Sequence, residues 1–149
     1  MKSVREVLKA KIKEVWSILP HASVYDALKL MGEKQIGALM VFDDHSKVAG
    51  IISERDYARK VILKGKSSKE TKVEEIMTPA SEMFTVKPEN TVEECMILMT
   101  GKHVRHLPVF EKGQFLGVVS IGDVVKSIIS EQESLIEQLS GYIAGKYPS

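Results

Sequence analysis

Two short stretches carry residues whose types and spacing suit chemistry: Ser53-Glu54-Arg55-Asp56 and Ser120-Ile121-Gly122-Asp123, led by Gly50-Ile51-Ile52 and Gly117-Val118-Val119. Each follows a β-prone apolar run and opens a helical pattern, so each reads as a strand that ends in a Ser-x-x-Asp turn at a helix N-terminus. Such a turn offers unpaired backbone N–H groups and the positive end of a helix dipole, which suit a phosphate. An Asp one turn in can accept hydrogen bonds from a ribose diol. The same residues also make a capping box, with serine at the N-cap and an acidic residue at N3, which stabilises a helix and binds nothing. For one copy alone the cap is the simpler reading. Recurrence at matched places in a duplicated chain shifts the balance toward a ligand.

The elements that must position these turns can be read in order. Met1 to Lys13 places Val4, Val7, Leu8 and Ile12 at helical spacing, an amphipathic helix that packs onto the body. Val15 to Pro20 is a short strand. Ser23 caps a helix with Val24, Ala27, Leu28 and Met31 inward, stopped at Gly32 or soon after. Ile36 to Phe42 and Val48 to Ser53 form a hairpin across the turn Asp43-Asp44-His45-Ser46-Lys47, and Asp56 to Lys64 is a helix. After the polar stretch Gly65-Lys66-Ser67-Ser68-Lys69 the order recurs. Met83 to Pro88 is the strand, and Thr91 to Glu94 opens a helix with Val92, Cys95, Met96 and Met99 inward, ended by Gly101. Val104 to Phe110 and Phe115 to Ser120 form the hairpin, and Asp123 to Ile129 the last helix of the repeat.

Pro20 matches Pro88, Ser23 matches Thr91 and Val41 matches Val109 at an offset of 68; past the hairpin turn Gly50 matches Gly117 and Asp56 matches Asp123 at 67. An alignment that needs one gap, placed in a turn, marks an internal duplication. The expected division is an N-terminal helix (1–13), a first repeat (14–64), a linker (65–76), a second repeat (77–130) and a C-terminal helix and tail (131–149). Each repeat is β-α-β-β-α and about 50 residues, marginal alone by surface-to-volume scaling. The expected fold class is therefore α+β, with the two repeats packed in pseudo-twofold fashion and their paired turns facing a shared cleft. In the terminal stretch Glu131 to Ala144, Leu135, Leu139, Tyr142 and Ile143 fall on one side, to be covered either by the chain's own core or by a second copy.

Composition bounds the function. With 44% hydrophobic and 28% charged residues the chain is ordinary globular protein, and a net charge of +1 gives no global pull toward nucleic acid or membrane. The single cysteine excludes an internal disulfide, and no apolar run approaches the roughly 20 residues of a membrane span, so the expected setting is reducing and cytoplasmic. His103 and His106 would point to opposite faces of a strand, with no third metal ligand near them in sequence. No carboxylate pair with room for a water, no nucleophile beside a base and no Walker-type lysine loop is present, which argues against an enzyme.

The doubled Gly-h-h-Ser-x-x-Asp turns, Ile36-Gly37-Ala38-Leu39-Met40-Val41 and Arg105-His106-Leu107-Pro108-Val109 resemble the signatures of tandem CBS domains, the pair called a Bateman module, over roughly residues 10 to 130. The chain is similar to stand-alone bacterial CBS pairs assigned to signal transduction. The resemblance implies a non-catalytic regulatory module that needs no metal and binds an adenosine nucleotide, AMP first and otherwise ADP, ATP, NAD or S-adenosylmethionine, in a cleft between the repeats. It also implies a homodimer and an unidentified regulated protein. Carried over by position, the first site would use Ser17, Ile18, Ile36, Gly37 and Ala38 around the base, Ser53 and Arg55 at phosphate, and Asp56 at ribose. The second would use Thr85, Val86, Val104, Arg105, His106 and Pro108, with Ser120 at phosphate and Asp123 at ribose. The second copy has Arg105 and His106 where the first has Gly37 and Ala38, and the first has Arg55 where the second has Gly122. Each half thus supplies cationic donors from a different element, and the two sites are expected to be inequivalent. The alternative is a structural dimerisation module in which both turns are only caps.

Overall fold

The structure is a computed structural model that describes residues 2–11 and 14–143, apart from the side chains of Tyr142 and Ile143. The facings expected for Ile12, Tyr142 and Ile143, and Ala144 as a helix end, lie outside the described residues. The fold is α+β and divides into two compact units. One is Glu14–Phe84; the other joins Met1–Lys13 to Thr85–Ser149.

In the first of these, β1 (Ser17–Ile18), β2 (Ala38–Phe42), β3 (Val48–Ser53) and β4 (Thr78–Pro79) form a sheet in that order, with β1 parallel to β2 and the other pairs antiparallel. Val24, Ala27 and Met31 on α2 (Val24–Lys34) pack with Leu39, Val41, Ile52, Val61, Val73 and Ile76 into one core. The short helices α3 (Glu54–Lys60) and α4 (Val73–Ile76) complete the unit. In the second unit, α1 (Val4–Ala10), α5 (Val92–Lys102) and α6 (Ile121–Ile143) accompany the hairpin of β5 (His106–Glu111) and β6 (Gln114–Ser120). Its core joins Val4 and Val7 to Val92, Cys95, Met99, Leu107, Val109, Val119 and Val124.

Several expected boundaries move, each for a local reason. α2 ends soon after Gly32, as expected, but Gly101 does not stop its helix. α2 and α5 run on to Lys34 and Lys102 and end at Gln35 and His103, which take the left-handed conformation at φ 55° and 56° and donate their N–H groups to Met31 and Met99. Both glycines are exposed, where one costs a helix only about 1 kcal/mol. The strand expected over 83–88 shrinks to a single parallel bridge, Val86 to Val109, and the one expected over 15–20 to Ser17–Ile18; Pro88 and Pro20, with no N–H for a ladder, lie beyond the C-terminal ends of both. The helix expected from Asp56 starts at Glu54, the residue after its cap, and gives way to a 3-10 turn at Ile62–Lys64. Asp123–Ile129 and the terminal stretch are one helix, because no glycine or proline stands between Gly122 and Gly141.

The stretch 65–76, polar at its start, carries α4, and this helix has a counterpart in α1. Val4 donates its N–H to the Asn90 carbonyl (2.8 Å), Arg5 to Pro88 (3.0 Å), and Val92 to Lys2 (3.0 Å). Likewise Val73 donates to Ala22 (2.9 Å), Glu74 to Pro20 (2.9 Å), and Val24 to Thr71 (2.8 Å). The helix that precedes the first repeat in the chain is thus built into the second repeat's unit, and the helix that precedes the second repeat is built into the first's.

Each leading segment crowds the glycine that opens its turn motif, but differently. A Cβ on Gly50 would run into the backbone carbonyl of Thr78, next to the pairing of Gly50 with Pro79, whereas a Cβ on Gly117 would meet only the Leu8 side chain at 3.1 Å. Gly50→Ala should therefore lower unfolding free energy by roughly 1–3 kcal/mol in urea titration, and Gly117→Ala by less than about 1 kcal/mol, because a leucine rotamer yields where a strand cannot. Equal losses at the two positions would contradict this packing.

Candidate functional site

At the β3–α3 junction Ile52 is fully buried and Ser53 turns the chain out of the sheet. The Asp56 N–H donates to Ser53 Oγ at 3.3 Å, and Asp56 Oδ2 accepts from the Ser53 N–H at 2.9 Å and its hydroxyl at 3.1 Å. At the β6–α6 junction the Asp123 N–H donates to Ser120 Oγ at 3.2 Å, and Asp123 Oδ2 accepts from the Ser120 N–H at 2.9 Å. Both turns are complete capping boxes, so the helix-capping role that the sequence left open is realised twice. Each box also fixes an ionised carboxylate at the positive end of a helix, with its side chain only 14% (Asp56) or 20% (Asp123) exposed.

Each carboxylate has a lysine partner, from a different place. Lys60 lies one turn along α3, its Nζ 3.3 Å from Asp56 Oδ1, and donates to the Ile76 carbonyl at 2.8 Å. Lys11 follows α1, its Nζ 2.7 Å from Asp123 Oδ2, and donates to the Val118 carbonyl at 2.8 Å. Lys11 was not among the residues singled out from the sequence. The signal for it was present: Val4, Glu6 and Val7 match Val73, Glu75 and Ile76 at an offset of 69, which marks the first helix as part of the duplication.

Around each junction the residues expected to bracket a base are held by backbone. Glu54 donates its N–H to the Gly37 carbonyl (3.0 Å), Ala38 pairs with Ser53, and Ile36 precedes them, half-buried. Ile121 donates to the Arg105 carbonyl (2.8 Å), His106 pairs with Ser120, and Val104 precedes them, half-buried. Ser17 and Ile18 lie alongside Met40 and Val41 on the neighbouring strand, with Ser17 exposed. Thr85 is exposed, Pro108 buried, and Val86 is 6% exposed in the core, so Val86 offers a ligand its backbone rather than its side chain. Arg55 is half-buried and Arg105 exposed. The first set belongs to one unit and the second set to the other.

The charge assignment at the second set changes in one respect. Burial, reinforced by the neighbouring Lys11 and Arg105 charges and opposed by Asp123, brings His106 down to about 4, so its imidazole is neutral at pH 7 and supplies no cation. Lys11 supplies one instead. Burial pushes the Cys95 thiol up to about 11, as befits a small core residue. Among the described residues no group of three or more His, Cys, Asp or Glu side chains could hold a metal ion, and no helix is long and apolar enough to cross a membrane.

The duplicated turns have counterparts in known proteins. The CBS domain model matches residues 4–63 and 73–130. The chain belongs to the CBS-domain family. Its CBS pair is 41% identical over 97% of the chain to the CBS domain-containing protein CBSX3, mitochondrial, of Arabidopsis thaliana, 73% of which is covered. A signal-transduction protein with CBS domains from Burkholderia ambifaria is similar in structure, with TM-score 0.82 and 49% identity over 88% of this chain and 96% of that one. So is a hexameric CBS-CP12 protein from bloom-forming cyanobacteria, with TM-score 0.72 and 30% identity over 98% and 88%. The chain spans only 25% of a longer Arabidopsis CBS-domain protein that it matches at 28% identity.

The His106 environment has a measurable consequence. Histidine in the unfolded chain takes up its proton near 6.5, whereas His106 in the fold does so only near 4. Folding stability therefore falls as pH drops through this window, by up to about 3 kcal/mol from this group, and the loss is absent above it. His106→Gln should flatten the stability profile between pH 6.5 and pH 4, and proton NMR of the wild type should give His106 a midpoint near 4. A midpoint near 6.5 would refute the assignment.

Proposed function

We propose that this CBS pair is a non-catalytic sensor of adenosine nucleotides, AMP first and ADP, ATP or NAD next, which modulates a partner protein or the arrangement of a homodimer. The observation that carries the reading is the doubled arrangement at the ends of β3 and β6. In each, a capping box holds an ionised aspartate at a helix start, beside the backbone of a strand's first residues. A carboxylate so placed accepts hydrogen bonds from a ribose diol without any proton transfer, which is binding chemistry and not catalysis. Ser53 and Arg55 in one set, and Ser120 with Arg105 in the other, would supply phosphate donors. Since the two aspartates draw their lysines from different elements, the two sites would differ in affinity or preferred nucleotide. A buried cysteine suits a reducing compartment such as the cytoplasm; the Arabidopsis relative's name places that protein in the mitochondrion.

A second reading has its own support. The capping boxes account for both serines and both aspartates without any ligand, and Ile129, Leu135, Ile136 and Leu139 on α6 are 48%, 55%, 61% and 53% exposed. A module built only to pair copies of itself would need no more than this.

Thermal unfolding separates the two. Under the sensor reading AMP, ADP, ATP or NAD raises Tm, by the equivalent of about 2.7 kcal/mol at a hundredfold excess over Kd. Asp56→Asn and Asp123→Asn, which keep the cap acceptor and lose the charge, should each abolish one class of site in titration calorimetry and leave unequal residual affinities. No shift with any of the four nucleotides would leave the dimerisation module standing.

A further inference from the structure

The cation on Asp123 comes from outside the repeat that contains Asp123, whereas the cation on Asp56 comes from the same helix. Lys11 Nζ is 2.7 Å from Asp123 Oδ2 and 2.8 Å from the Val118 carbonyl, so it lies across the carboxylate oxygen that also accepts the Ser120 N–H. A ribose diol that bridges both oxygens of this carboxylate needs an acceptor position on Oδ2, where the Ser120 N–H and the Lys11 ammonium now take both. At the first turn the partner of Asp56 is Lys60, on the same helix at i,i+4 and on the other oxygen, Oδ1. The residue matching Lys60 in the second repeat is Ser127 (60 plus 67), and the residue matching Lys11 ahead of the second repeat is Ala80 (11 plus 69). Neither can make the reciprocal contact, so the arrangement is one-sided by sequence.

Accepting the nucleotide reading above, on which this rests, we propose that Lys11 is a tethered competitor for the ribose-binding carboxylate of the second site. A diol that bridges both carboxylate oxygens requires the ammonium to leave Asp123 Oδ2. The motion is small. Val4 and Val7 anchor α1 in the core at 0% and 6% exposure, while Lys11 lies just past the helix end with its side chain 34% exposed. The ammonium can swing into water by side-chain rotation while α1 stays docked.

The test uses the full chain with the first site silenced by Asp56→Asn, and two probes, adenosine and AMP, in titration calorimetry. Lys11→Met keeps the apolar stem and removes the charge; in that background it should bind adenosine roughly threefold to tenfold more tightly. Lys11→Arg, which keeps a cation on the carboxylate, should stay within about twofold of the parent. Unchanged adenosine affinity in Lys11→Met, with melting curves that show it folded, overturns the competitor. Weaker AMP binding with unaltered adenosine binding overturns it too, because Lys11 would then be a phosphate ligand. Failure of parent and variants alike to bind either probe defeats the nucleotide reading itself, an outcome distinct from both.

Discussion

Neither repeat can cover its own sheet, and the rest of the structure follows from how that shortage is met. A β-α-β-β-α unit of about 50 residues leaves too much apolar surface for the helices it owns. Each unit therefore takes in a short leading helix, held by paired backbone bonds: Val4 to Asn90 and Val92 to Lys2 in one, Val73 to Ala22 and Val24 to Thr71 in the other. The inserted residues are core residues in the full sense, with Val4 and Val73 at 0% exposure and Ile76 at 2%. Since each helix comes from the chain ahead of the other repeat, the duplication is interleaved rather than strung end to end.

The same economy governs the junctions that carry the candidate chemistry. One residue, Ser53 or Ser120, ends a strand, caps a helix and fixes a carboxylate. The carboxylate lies in the field of the helix start, where a negative charge is favoured, yet it is mostly removed from water and needs further compensation. An amine at 3.3 Å or 2.7 Å provides it. A group that serves as cap, counter-ion and prospective ligand contact is held in place before any ligand arrives, which is what keeps the ordering cost of binding low.

Most of this was legible in the sequence because it is periodic or repeated. The offsets of 68 and 67 gave the two hairpins and both Ser-x-x-Asp turns, and the positions Val24, Ala27, Met31, Val92, Cys95 and Met99 were the ones buried. What escaped notice has physical causes. The left-handed helix ends fell on Gln35 and His103, where the next residues, Ile36 and Val104, also donate their N–H groups back to Met31 and Met99. α4 spans four residues, too few for a periodic signal. Lys11 reaches Asp123 across 112 positions of sequence, a contact that only the interleaved fold creates. Apparent cations also mislead without depth: His106 reads as a donor on paper and is a neutral base once buried.

The two lysines show what duplication left free to diverge. A half-buried aspartate at a helix start is stabilised by an amine from either direction, so the energetics of folding do not choose between Lys60 on the same helix and Lys11 past a neighbouring one. Mechanically the choices differ. An i,i+4 partner moves with the carboxylate it serves, and Lys60 also donates to the Ile76 carbonyl on α4 within its own unit. A partner carried by the segment between α1 and β1 ties the state of that carboxylate to a different stretch of chain. Two turns with the same cap thus become chemically unlike through the placement of a single positive charge.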